Sequence, residues 1–253
     1  MTTELINHLR TLADRYEREQ FLEGDPSWFM HQVQGNEGKE LLAFIASSIS
    51  YGSRKQFMPR IDMILESSRQ EGICKWLKER KFNDIIPPTE DCFYRLYTNK
   101  AFNTFLESTA IMIDTFGSIK AYIATNSHDH DAMTALQLLT SWYEEHGSGG
   151  VIPRNTSSSC KRLCMFLRWM VRDDSPVDIG LWSDIIDKRT LIIPMDTHVI
   201  EEASKLHLIT SKSTSMSNAV KLTKALREAF PDDPVKADFA LFGIGVDTNE
   251  TSQ

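Results

Sequence analysis

The sequence predicts an all-α fold. Three observations carry this: apolar residues recur three and four apart through nearly every segment, no stretch alternates in the way a half-buried strand does, and Gly, Pro and Ser clusters punctuate the chain at helix-length intervals. Roughly nine to eleven helices are expected on that periodicity. At 253 residues the chain buries a sizeable core, as one large domain or two lobes sharing a groove. The expected organisation is a single two-lobed domain over residues 1–246 and a polar tail over 247–253.

The first helix starts near Thr3, with Leu5, Leu9, Leu12 and Tyr16 on one face and the pattern continuing to Leu22. KELLAFIASSIS, 39–50, is nearly all small or apolar and reads as a buried helix. Gly52 and Ser53 break it, and RKQFMPRIDMILESS, 54–68, resumes, with Pro59 tolerable near a first turn or at a kink. FNDIIPPTE is a loop. The stretch from Thr89 to Ala124 reads as two helices, with Gly117 ending the second. DAMTALQLLTSWYEEHG is a helix closed by Gly147, and GSGGVIPRNTSSS, 147–159, is the clearest loop. CKRLCMFLRWMVR follows as a helix whose exit ends at Pro176. THVIEEASKLHL, SMSNAVKLTKALREAF and PVKADFALFGIGV complete the set, the last frayed by Gly243 and Gly245.

The 28 basic residues stand against 35 acidic ones, a net charge of −7. That sum argues against bulk binding of nucleic acid, whose phosphates need Lys and Arg. The distribution is uneven, however. Arg154, Lys161, Arg162, Arg168 and Arg172 span a stretch with no acid before Asp173, and KWLKERK, 75–81, adds four basic residues against one acidic. One basic stripe on an acidic protein can take a polyanion locally. No apolar run approaches the roughly 18 to 20 residues of a membrane span, and the N-terminus lacks an apolar signal core. A cytoplasmic protein with no membrane partner is expected. Cys74, Cys92, Cys160 and Cys164 show no metal or cluster spacing, and Cys160 and Cys164 fall on one face of a helix. The expected cofactor and metal content is none, although His128, Asp129, His130 and Asp131 run consecutively and are weighed as ligands.

Two residues stand out chemically. Serines 157–159 are placed to cap the helix that follows, which puts Lys161 in its first turn. The positive end of the helix dipole and any burial both favour a neutral, nucleophilic amine there. Pro194 holds Ile193 extended, leaving Asp196 to cap THVIEEASKLHL. A capping carboxylate is fixed in place, as a catalytic one must be. His198 beside it reads as a packed or hydrogen-bonded side chain.

A loop opening a helix with an early Lys, a linker, and then IPMDTHVIEEASKLHL resembles the helix-hairpin-helix DNA glycosylase superfamily. The 35-residue separation of Lys161 and Asp196 is most similar to the archaeal 8-oxoguanine DNA glycosylases, and the ensemble also resembles an uncharacterised bacterial branch. LLAFIASSISYGSRKQFMPRIDMIL is similar to the early helix–turn–helix of that superfamily, and DFALFGIGV to the late helix beneath its active site. The resemblance touches residues 41–65 and 150–246. It departs at the hairpin, where GSGGVIPRNTSSS replaces the usual L-P-G-[VI]-G, and it lacks the cysteine-ligated cluster of the endonuclease III branch.

The resemblance implies a two-lobed helical fold with a groove, and a Lys161 that forms a Schiff base with a deoxyribose while Asp196 stabilises developing positive charge. It further implies Arg54, Lys55, Gln56, Arg154, Ser158, Ser159 and Arg162 as DNA contacts. Tyr51, Phe57 and Trp182 are the candidates for a pocket around an everted base. Trp169 is a further candidate for stacking. The function expected is base-excision DNA repair by an N-glycosylase, with or without lyase activity, on a damaged base such as an oxidised one, acting as a monomer on DNA. Two alternatives stand beside it: a non-catalytic nucleic-acid-binding module of the same fold, and an all-α protein that binds a small molecule or nucleoside.

Overall fold

A computed structural model describes residues 1–250, with side chains as far as Gly245. The described residues are mostly helical. In chain order the α-helices are α1 (Thr3–Tyr16), α2 (Asn36–Ile49), α3 (Arg54–Ser68), α4 (Ile73–Lys78), α5 (Phe82–Ile85), α6 (Asn99–Phe116), α7 (Ile119–Asn126), α8 (Ala132–His146), α9 (Lys161–Val171), α10 (Thr197–Lys205), α11 (Met216–Leu226) and α12 (Ala237–Glu250). A two-stranded antiparallel hairpin, β1 (Cys92–Tyr94) and β2 (Tyr97–Thr98), lies between α5 and α6. No described helix is long and apolar enough to cross a membrane.

The chain divides into two compact units. One holds Met1–Glu23, His130–Met133 and the chain from Thr156 onward; the other holds Gly24–Asp129 and Thr134–Asn155. The second unit is built on α2, whose residues from Gly38 onward are buried apart from Lys39. Phe44 sits against Phe105 at 5.6 Å and Tyr143 at 5.8 Å between ring centres. The buried Glu40 accepts the amides of Ile119 and Lys120 at 2.9 and 3.0 Å, so α2 caps the first turn of α7 with a carboxylate. Gly117 closes α6 with φ +90°, a left-handed conformation that a Cβ would strain.

In the first unit α1 packs along α12. Gly243 meets the Tyr16 ring and Gly245 meets the His198 ring, so a side chain at either glycine would collide with an aromatic group. These glycines do not fray the helix; they let α1 and α10 approach it. Of the polar tail expected over 247–253, residues 247–250 continue α12 and residues 251–253 lie outside the described ones.

Two further expectations are corrected here. Residues 92–98 form the hairpin instead of helix: Cys92–Tyr94 pairs antiparallel with Tyr97–Thr98, and Phe93 stacks on Phe102 at 4.2 Å. Pro59 sits inside α3, beyond the first turn, at an exposed position and without ending the helix.

Candidate functional site

Lys161 is the first residue of α9 and Asp196 is the N-cap of α10. The entry to α9 is held from two sides. Ser159 donates its hydroxyl to the Met195 carbonyl at 3.1 Å and its amide to Thr214 at 2.8 Å, while Ser158 pairs with Ser215 in an isolated antiparallel bridge. Cys160 then takes a left-handed turn, φ +47° and ψ +38°, and α9 begins. Behind Lys161 the helix is anchored by a buried run from Leu163 to Val171, with Phe166 edge-on to Trp182 at 5.0 Å.

On the other side Leu191–Met195 is an extended, wholly buried segment whose Ile193 amide is fixed by the Thr223 hydroxyl at 3.0 Å. Asp196 emerges from it. One carboxylate oxygen, Oδ1, accepts the Val199 amide at 3.0 Å and caps α10. The other, Oδ2, lies 3.3 Å from Lys161 Nζ. Two groups 35 residues apart in the chain thus meet, each about a third exposed at 34% and 40%. The amine and the acid are within reach of solvent and of each other.

A third acid belongs to this neighbourhood. Asp238, on α12, is ion-paired with Arg168. Burial pushes its carboxyl above the ordinary range; Arg168 pulls the other way, the charge of Asp196 adds to the push and that of Lys161 opposes it. Arg168 also reaches Asp178 at 3.3 Å, and Arg172 ties together Asp178, Asp233 at 2.8 Å and Glu17 at 2.7 Å. Burial alone would lower the Arg172 guanidinium; Asp178 first, with Asp233 and Glu17, more than offsets this and holds it above its ordinary range.

This network corrects the basic stripe. Arg168 and Arg172 are 3% and 2% exposed, and their charge is spent on interior carboxylates instead of a polyanion. The capping role of serines 157–159 is also corrected: the N-cap of α9 is Cys160, with no side-chain cap bond. Ser159 is buried and committed to Met195, so it is withdrawn from phosphate contact, whereas Ser158 is exposed and Arg162 half-buried on the first turn of α9. Cys160 is the N-cap of α9, its carbonyl accepting the Cys164 amide at 2.9 Å, and all four cysteines carry free thiols.

Trp182 is fully buried and Phe57 is 4% exposed. Both are core side chains with no face left for a base to stack on, as is Trp169 at 0%. Tyr51 is exposed, at 38%. It belongs with Arg54, Lys55 and Gln56 to an exposed stretch of the second unit, where Arg54 reaches Asp25 at 3.1 Å. Arg154, also in that unit, is exposed with Glu144 at 3.8 Å.

The His128–Asp131 run is consumed by its own turn. Asp129 accepts the hydroxyls of Ser127 and Thr134 at 2.6 and 2.7 Å, Asp131 caps Met133, and the His130 ring faces the Ile185 carbonyl at 3.0 Å. Among the described residues no group of three His, Cys, Asp or Glu side chains is placed to hold a metal. Asp238 and its pairing with Arg168 escaped the sequence reading, because a pairing 70 positions apart has no local spacing. The one available signal was an acid four residues before Phe242 on a glycine-bearing helix.

With this geometry in hand, comparison with known proteins gives one family. Residues 25–247 match the family described as protein of unknown function (DUF2400). No curated protein and no solved structure matches.

Proposed function

The chain belongs to that family, and from this premise we propose that it is a base-excision DNA N-glycosylase with lyase chemistry, of the helix-hairpin-helix type. The observation that carries the reading is the 3.3 Å approach of Lys161 Nζ to Asp196 Oδ2 at two adjoining helix entrances. An amine and a carboxylate held together at a solvent-accessible surface are the two groups that such a reaction asks for.

The steps follow from those groups. Once its ammonium has lost a proton to water, the Lys161 amine attacks C1′ of the damaged nucleotide, the C1′–N bond breaks, and its electron pair leaves with the base, which takes up one of the two amine protons. The positive charge that develops on the sugar lies next to Asp196, whose carboxylate stabilises it electrostatically. The C1′–O4′ bond then opens, its electron pair stays on O4′ and the remaining amine proton passes to that oxygen, which leaves a Schiff base between Lys161 and C1′. Elimination of the 3′ phosphate from that imine cuts the strand, and hydrolysis returns the free lysine.

Borohydride trapping tests this. With a duplex carrying an abasic site or 8-oxoguanine, reduction of the imine is expected to give a covalent protein–DNA adduct that is absent from Lys161→Ala. Tight duplex binding with no adduct on any substrate would overturn the catalytic reading.

A further inference from the structure

The second unit holds a cavity of about 510 Å³ between the start of α2 and the start of α4, at the opposite end of α2 from Tyr51. That volume lies in the range of small-molecule sites. Its floor is apolar. Leu65 and Ile73 are buried and Val33 is half-buried, while Gly38 leaves room between them: a Cβ there would meet Ile73 at 3.7 Å and Val33 at 3.8 Å. The half-buried Cys74 thiol belongs to the wall.

The lining carries two cations and two acids, and their commitments differ. Arg69 turns to Glu66 and Lys75 to Glu79 at 3.7 Å, two acids outside the lining, and Glu71 is paired with Lys81. Glu37, exposed on the first turn of α2, has no ion pair among the described residues. The hydrogen-bonding capacity left in the lining side chains is mostly that of acceptors. Gln32 donates its amide to the Trp28 carbonyl at 3.2 Å, which leaves its own carbonyl oxygen, and Ser68 donates to the Leu65 carbonyl at 3.0 Å, which leaves its lone pairs. Gln34 brings an amide of both kinds. The Cys74 thiol feels a field of matching sign: burial pushes it above its ordinary range, Glu37 and Glu40 push further, and Lys78 opposes.

A hydrogen-bond donor on an apolar body complements such a cavity. We propose that it binds a small organic cation, a primary ammonium on an apolar chain or ring, with the ammonium on Glu37 and the Gln32 carbonyl oxygen and the body on Val33, Leu65 and Ile73. Every group involved belongs to the second unit, whereas Lys161 and Asp196 belong to the first, so the site is independent of the glycosylase reading.

The test titrates the full chain with hexylammonium chloride by isothermal calorimetry at low salt, beside hexanol and hexanoate, which share its body and differ in the head group. Hexylammonium is expected to bind once per chain and about tenfold or more tightly than either. Glu37→Gln, at an exposed position, is expected to weaken it about tenfold. Gly38→Ala adds a methyl at ordinary contact distance and favours the helix, so the fold is kept while the floor narrows, and affinity is expected to fall about threefold. Glu19→Gln removes the same charge from an exposed position of the first unit and is expected to leave the affinity unchanged. Absence of binding heat, hexanol or hexanoate bound as tightly as hexylammonium, or unchanged affinity in Glu37→Gln would overturn the proposal. So would an equal loss in Glu19→Gln, the mark of general attraction to a chain of net charge −7. A lysine side chain of a partner protein offers the same head group. Nα-acetyl-lysine methylamide bound about tenfold more tightly than hexylammonium would assign the cavity to that partner and overturn it as a small-molecule site.

Discussion

Asp196 does two jobs with two oxygens, and substitution can part them. Asn caps a helix about as well as Asp, so Asp196→Asn is expected to keep stability within about 0.5 kcal/mol while removing the charge beside Lys161. Asp196→Ala is expected to lose roughly 1 kcal/mol more. Chemical denaturation reads that difference. Single-turnover base release reads the other role: if the charge stabilises the transition state, both variants fall by a factor on the order of 10² or more. Equal loss of stability and unchanged turnover would leave Asp196 a cap only. That Lys161 and Asp196 each sit at a helix entrance was legible locally, in Pro194 and in the apolar runs that follow, whereas their joint role came only from the resemblance. Arg168, Arg172 and Asp238 were misread or missed for the opposite reason. A guanidinium in the sequence looks the same whether it faces water or Asp178, and only the fold decides.

At the scale of elements, α12 shows how a helix pattern can mislead. Gly243 and Gly245 suggest fraying when read alone, yet each faces an aromatic ring of a neighbouring helix. Gly245→Val is expected to cost roughly 1–3 kcal/mol through overpacking against His198, measured by denaturant midpoint. His198→Ala in the same chain is expected to recover part of it, a coupling that two independent effects would not show. The boundaries of α3 and the stops at Gly117 and Gly147 were legible, since capping and breaking residues mark them. The hairpin was not. Its strands are three and two residues long, too short to establish a period of two, and their register depends on Phe102 and Tyr51, which lie outside them.

For the molecule as a whole, the buried charge network carries both stability and legibility. Glu17, Asp178 and Asp233 come from three separate parts of the chain and converge on Arg172. Arg172→Ala strands these carboxylates in the interior and is expected to cost about 3–5 kcal/mol, whereas a well-packed apolar replacement of the whole set would be near neutral. The net charge of −7 sets a second global expectation. If DNA is engaged, log affinity against log salt is expected to fall with a slope of about −0.9 for each cation that neutralises a phosphate. A slope near zero would argue for a ligand that is not a polyanion. The helical class followed from periodicity along the whole chain, while the division into two units did not, because the first unit gathers residues from both ends and from His130–Met133 in the middle.

The latch between Asp196 and the Val199 amide also decides which partner moves. Swivelling the acid to follow a departing ammonium would unfasten the first turn of α10, whereas the lysine arm can swing on its methylenes at little cost. A sugar arriving at this corner would therefore find a stationary post and a mobile arm, and the travel needed to reach it falls to Lys161.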